Sequence, residues 1–358
     1  MRPNRKGTKA RHVCRIGQAC NTLVGMRAMV LQSPGPVERN PLEPRDVSMR
    51  IPGTGEIRIR VQVCGVCHTD LHIAEGDIHP PRLPIIPGHQ VVGIVDAVGP
   101  GTNEFREGDR VGVPWLFSTC GVCAYCRQGL ENLCDSARFT GFHVNGGYAE
   151  RIVVGSDSAY PIAATFSEEH AAPLLCAGVI GYRSFRLSGI RPGGRLALFG
   201  FGGSAHIVLQ IARHFECEVL VFTRSDSHQR MARRLGAAWV GSAAESSTEP
   251  ADSAIIFAPA GALVPSALKS IRKGGTVALA GITMSDIPPM PYELIYHERM
   301  LRSVANSTRQ DVHELLDLAA EIPLKTTIQS FPLEQANVAL EAVKHSRVDG
   351  AAVLRVSF

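Results

Sequence analysis

Arg195-Leu196-Ala197-Leu198-Phe199-Gly200-Phe201-Gly202-Gly203-Ser204-Ala205 decides the architecture of the second half of the chain. Its first five residues are a short apolar run of the kind a buried parallel strand requires, and Ala205 to His214 reads as a helix. Small residues between them let backbone approach an anion at the helix N-terminus, where free N–H groups and the helix dipole favour negative charge. The strand before and the helix after raise a weak glycine pattern to a dinucleotide fingerprint, with Gly200, Gly202, Gly203, Ser204 and Ala205 as cofactor-binding candidates. Ala205 takes the place of a third glycine. Similar apolar runs recur at Val219 to Phe222, Ala254 to Ala258, Thr276 to Ala280 and Leu301 to Ala305, separated by segments of helix length. Strands alternating with helices predict a doubly wound parallel sheet over residues 175–306.

The tip of the second of these strands bears on the cofactor. An acid there would hold a ribose 2′-hydroxyl, but the run to Phe222 continues as Thr223-Arg224-Ser225. Two hydroxyls flanking a guanidinium suit a 2′-phosphate, so NADP(H) is favoured. NAD(H) stays open through Asp226.

Upstream, the pattern changes to period two. Ile57, Ile59, Val61 and Val63 alternate with Glu56, Arg58, Arg60 and Gln62, which predicts a half-buried strand. It delivers Cys64-Gly65-Val66-Cys67-His68-Thr69-Asp70-Leu71-His72, a concentration of thiols, imidazoles, hydroxyl and carboxylate in nine residues. Thiolate and neutral imidazole are ligands that Zn2+ prefers. Taken alone, Cys64 and Cys67 could equally be a redox pair or two buried thiols. A turn-rich loop, Gly76 to Pro87, precedes a second β-type run that opens with Gly88-His89. Residues 26 to about 150 therefore read as an irregular, mostly β domain. Further on, Cys120-x2-Cys123-x2-Cys126-x7-Cys134 places four thiolates in one loop, enough to close a tetrahedron around Zn2+ and leave no open position. A nucleic-acid-binding zinc ribbon would need more than Arg127 and Tyr125 in that loop, and an iron–sulfur cluster is the remaining rival.

Composition excludes other classes. The formal charge of +4 comes from the first 25 residues, which hold Arg2, Arg5, Lys6, Lys9, Arg11 and Arg15 and no acid; without those six, 31 basic residues face 33 acidic ones. The basic character is thus no nucleic-acid signature, and residues 1–25 read as a disordered extension without apolar periodicity. No apolar run approaches the ~18 residues of a membrane span. Ten cysteines in 358 residues do not make a disulfide scaffold, and a reducing, cytoplasmic setting is expected.

These motifs together resemble the zinc-dependent alcohol dehydrogenases of the medium-chain dehydrogenase/reductase family, a likeness that runs from about Met26 to the C-terminus. It implies a GroES-like catalytic domain, residues 26–174 and 307–358, with a Rossmann cofactor domain between, residues 175–306. The family's ligand is the cysteine before His-Thr-Asp, hence Cys67. The Gly-His pair gives His89 and the Pro-Leu-Leu-Cys-Ala-Gly stretch gives Cys176, a Cys2His catalytic set with a fourth position open. The closed set Cys120, Cys123, Cys126 and Cys134 would be structural, for two zinc ions per chain. Resemblance further assigns Asp70 to orienting the histidine ligand, Thr69 and His72 to proton relay, His68 to the cofactor pyrophosphate, and Trp115 to a wall of an apolar substrate pocket, with Ile78 as another wall. The implied substrates are small primary aliphatic or aromatic alcohols and aldehydes, and the implied assembly is a homodimer or homotetramer. One departure is plain: Gln90 follows His89 where the family commonly has Glu. The alternatives are a cinnamyl-type NADP-dependent aldehyde reductase and, from another class, a non-catalytic zinc-binding or thiol-switch protein using Cys64 and Cys67.

Overall fold

The computed structural model describes residues 25–245, 249–322, 324–348 and 350–356. Residues 1–24 of the expected basic extension lie outside these, and Gly25 already belongs to the strand Gly25–Leu31.

The period-two stretch forms the 11-residue strand Glu56–Val66. Ile57, Ile59, Val61 and Val63 are buried, each contributing roughly 1.5–3 kcal/mol of transfer free energy. This strand is the axis of a seven-stranded sheet. One edge pairs antiparallel with Val91–Val98, and the other is shared by Arg151–Gly155 and Ala351–Arg355. Where it passes Gln90 it has a glycine for a steric reason: a Cβ on Gly65 would stand 2.5 Å from Gln90 Oε1. The end of the strand hands the chain to Cys67 and the helix His68–Glu75.

The second sheet has six parallel strands in the order Trp239–Gly241, Glu218–Phe222, Arg195–Phe199, Ala251–Ile256, Ile271–Leu279 and Met300–Ser303. The edge strand Trp239–Gly241 was not anticipated, because three residues are too few to display a pattern. The apolar runs were uninterrupted because both sheet faces are buried. Leu196, Leu198, Val219, Val221 and Ile255 meet Ile207, Val208 and Ile211 of the helix Ala205–His214 on one side. Ala197, Phe199, Leu220, Phe222 and Ile256 meet Val264 and Leu268 on the other. Strand order reverses between Arg195–Phe199 and Ala251–Ile256, and in such sheets the crevice for a ligand opens at this switch point.

The described residues after 306 divide in their packing. Thr308 caps the helix Arg309–Glu321 by accepting from Asp311 N–H, and that helix buries Val312, Leu315 and Ala319 in the cluster that holds Leu196 and Leu198. The strands Ile328–Pro332 and Ala351–Arg355 then join the first sheet.

Candidate active site

Asp70 is the pivot of the site. It is fully buried in the first turn of His68–Glu75 and accepts three hydrogen bonds. Cys67 N–H reaches Oδ2 at 3.0 Å, while Gly88 N–H at 3.1 Å and His89 Nδ1 at 3.0 Å reach Oδ1. Three donors offset the cost of burying the carboxylate. They also link the Cys67 turn to the start of the second strand, with Gly88 at φ +96° packed against the Tyr148 ring. A carboxylate only accepts, so His89 carries a hydrogen on Nδ1 and turns Nε2 toward Cys67 Sγ, 3.3 Å away.

Cys176 completes the set from a third place. The short helical turn Ala172–Leu175 ends and the helix Ala177–Leu187 begins, and Cys176 occupies the break with φ −136° and ψ −72°. Its Sγ lies 3.9 Å from Cys67 Sγ, and the ligand atoms of Cys67, His89 and Cys176 all fall within 4.8 Å of one another. Two sulfurs and one oriented imidazole are a donor set that fits Zn2+ and keeps a position open. Burial opposes a charge on His89, but Asp70 and Cys67 push it up to about 10. The Cys176 thiol and burial raise Cys67 well above the ordinary thiol range. Cys64, by contrast, is sealed in the strand; its sulfur lies 2.9 Å from where a Gly88 Cβ would stand, and burial raises its thiol. A redox pair needs an accessible thiolate, and Cys64 does not offer one.

Thr69, His72 and His68 share one helix. Thr69 is buried and His68 exposed at the first helical position. His72 Nδ1 is 2.8 Å from Asp77 Oδ2 and its Nε2 is 3.3 Å from Thr283 Oγ1. Ile78, half-buried, donates its N–H to His72 O at 3.2 Å. Trp115 meets the His89 ring edge-on at 4.7 Å, stacks on Phe139 at 5.1 Å and lies 5.9 Å from Phe142. Asp77, Thr283, Phe139, Phe142 and Tyr148 escaped the sequence reading. Asp77, five residues after His72, could have been suspected; nothing in the sequence connects Thr283 to it.

Cys120, Cys123, Cys126 and Cys134 also converge, with their sulfurs within 4.8 Å of one another. At the cofactor end, Gly200 has φ +88°, and a Cβ there would lie 2.9 Å from Ala258 N, so only glycine fits between the two strand ends. A Cβ at Gly202 would meet nothing within 4 Å, and at Gly203 the nearest atom would be Gly350 O at 3.5 Å. Ser204 precedes the helix Ala205–His214. At the neighbouring tip, Thr223 N–H donates to Gly241 O at 2.8 Å and Arg224 is exposed. The Ser225 hydroxyl caps Asp226–Arg234 by accepting His228 N–H at 3.4 Å.

A mostly antiparallel domain with a Cys2His set around a buried histidine, joined to a doubly wound parallel sheet, defines the medium-chain dehydrogenase/reductase class. Family models agree: "Alcohol dehydrogenase GroES-like domain" matches residues 53–164 and "Zinc-binding dehydrogenase" matches residues 203–321. A probable alcohol dehydrogenase AdhA of Mycobacterium tuberculosis is 45% identical over 341 residues, covering 94% of this chain and 99% of the relative. An alcohol dehydrogenase of Geobacillus stearothermophilus is 37% identical over 327 residues, covering 89% and 97%. Among solved structures, a cinnamyl alcohol dehydrogenase from Sorghum bicolor superposes with a TM-score of 0.83 at 27% identity, over 93% of this chain and 98% of that one. The chain belongs to the zinc-type alcohol dehydrogenases of this family. It is an oxidoreductase acting on small alcohols and aldehydes. Among the described residues, no helix is long and apolar enough to cross a membrane.

Proposed function

We propose that the chain interconverts primary aliphatic or aromatic alcohols and aldehydes, with one zinc held by Cys67, His89 and Cys176, a second by Cys120, Cys123, Cys126 and Cys134, and NADP(H) as favoured cofactor over NAD(H). The observation that carries this reading is the convergence of Cys67, His89 and Cys176 around an Asp70-oriented imidazole. When bound, zinc supplies Lewis acidity to the alcohol oxygen and the nicotinamide exchanges hydride with the alcohol carbon. Asp70 keeps His89 in the ligating tautomer. Thr69 and His72, one helical turn apart, take up the proton that the alcohol loses. Trp115, Phe139, Phe142 and Ile78 supply apolar walls, and the stacked aromatic surface favours planar substrates, which supports including aromatic alcohols. The rate ratio on conjugated against aliphatic aldehydes separates this reading from a specialised cinnamyl-type reductase.

Gly200, Gly202, Gly203, Ser204 and Ala205 would cradle the pyrophosphate, with His68 beside it. Thr223 and Arg224 would take the 2′-phosphate; the Ser225 hydroxyl already caps a helix and contributes less. Assembly as a homodimer or homotetramer is supported by the edge strand Met300–Ser303 and the turn of helix before it, where Met300, Tyr292 and Tyr296 are 55%, 73% and 62% exposed. The test is steady-state kinetics with both cofactors on protein of measured zinc content. Two zincs per chain are expected, and Arg224→Ala should weaken NADPH binding by roughly 1.5–3 kcal/mol while barely affecting NADH. One zinc or none, or equal effects on both cofactors, would count against the assignment.

A further inference from the structure

The helix His68–Glu75 ends one turn after His72. Gly76, at φ +88°, donates its N–H to His72 O at 3.0 Å and turns the chain back. That turn sets Asp77 beside its own helix, with Oδ2 2.8 Å from His72 Nδ1. From the other domain, in the segment after the strand Ile271–Leu279, Thr283 Oγ1 approaches the opposite nitrogen at 3.3 Å. The two contacts fix the tautomer. A carboxylate can only accept, so Nδ1 carries the hydrogen; Nε2 is then a lone pair, and the Thr283 hydroxyl donates to it. The Asp77 side chain is 58% exposed and that of His72 only 20%, so the carboxylate stands between the imidazole and solvent.

We infer that Asp77 is a positioning residue for proton transfer: it holds His72 in the tautomer whose unprotonated Nε2 faces Thr283 and pairs with the imidazolium formed there, while the Thr283 hydroxyl donates to Nε2 until a proton arrives. The inference rests on the proposed alcohol oxidation and names a further part of the same site. The step moves one proton and no electrons. The alcohol oxygen loses it, His72 Nε2 gains it, and the imidazolium, paired with the Asp77 carboxylate, returns it to water or a buffer base.

The test is alcohol oxidation by zinc-loaded wild type and Asp77→Asn, which preserves an acceptor for Nδ1–H but removes the charge. The expected result is a fall in kcat on the order of tenfold, with KM for the alcohol little changed. A raised solvent deuterium isotope effect on kcat should accompany it. Imidazole buffer at constant pH and ionic strength should restore much of the loss, and Asp77→Glu should retain more activity than Asn. Unchanged kcat and isotope effect, or a loss that buffer does not recover and that follows a lowered Tm, overturns the role of Asp77 and leaves the reaction standing. A wild type without alcohol oxidation overturns the reaction and this inference with it.

Discussion

Cys120, Cys123, Cys126 and Cys134 come from one stretch of 15 residues on the surface, whereas Cys67, His89 and Cys176 span 109 positions and meet in the interior. The surface thiols are organised by local backbone: Cys123 N–H donates to Cys120 Sγ at 3.3 Å and Cys126 N–H to Cys123 Sγ at 3.5 Å. The N–H groups of Val122 and Cys123 hold the Cys120 thiol down to about 6. The interior trio is organised by Asp70 and by three separate elements, and its surroundings raise both His89 and Cys67. One cluster is a local staple that tightens a loop. The other is a tertiary construction with a position left open, and it is the one suited to chemistry.

The strongest way to break the comparison is to exchange one sulfur in each cluster. Cys176→Ser should lower kcat by about a thousandfold, since a metal's polarising effect is worth several kcal/mol, with Tm within a few degrees of wild type. Cys126→Ser should do the reverse, lowering Tm markedly because ligand binding energy at a closed site is folding energy. Thermal unfolding, zinc analysis and turnover on both variants check this; the same pattern for both would erase the distinction.

A titration sharpens it. Every ligand must lose its proton to bind metal, and the interior set starts with Cys67 and His89 both raised, whereas in the four-cysteine loop Cys120 and Cys126 start lowered and only Cys123 is raised. Zinc should therefore leave the interior site at a higher pH than the Cys120–Cys134 loop when metal content is followed during acidification in the presence of a weak chelator. Loss from the loop first would mean that the backbone donors do not favour thiolate there.

The smallest expected effect is at Gln90, 2% exposed, whose Nε2 has no hydrogen-bond partner among the described residues. Gln90→Glu puts a carboxyl in that slot, and burial raises its folded pKa above the unfolded value. Stability equal to wild type is then expected below the ordinary carboxylate range and lost as pH rises through the raised value, by roughly 1–3 kcal/mol at neutral pH. Denaturant melts at pH 4.5 and 7.5 measure it. A loss independent of pH would point to packing against Gly65 instead.

The legibility of the two clusters differs for the same reason as their construction. Spacing exposed Cys120 to Cys134 because a loop that closes on itself writes its geometry into sequence separation. The apolar runs ending at Phe199, Phe222 and Ile256 revealed a parallel sheet because both of its faces must be dry. Cys67, His89 and Cys176 came from likeness to a family, since no spacing rule joins residues on three elements.

Asp70 was suspected from its nearness to Cys67, but its three hydrogen bonds depend on the turn at Gly88. The sequence by itself determined the two sheet patterns, the four-cysteine loop and the glycine turn, all products of local spacing and burial. Only the tertiary structure decided that Trp115 faces His89, that Gln90 lies across Gly65, and that Thr283 reaches His72 from 211 residues away. The first two contacts follow from how distant segments fold together within one domain and the third from how the two domains pack, and packing between distant segments leaves no period in a chain.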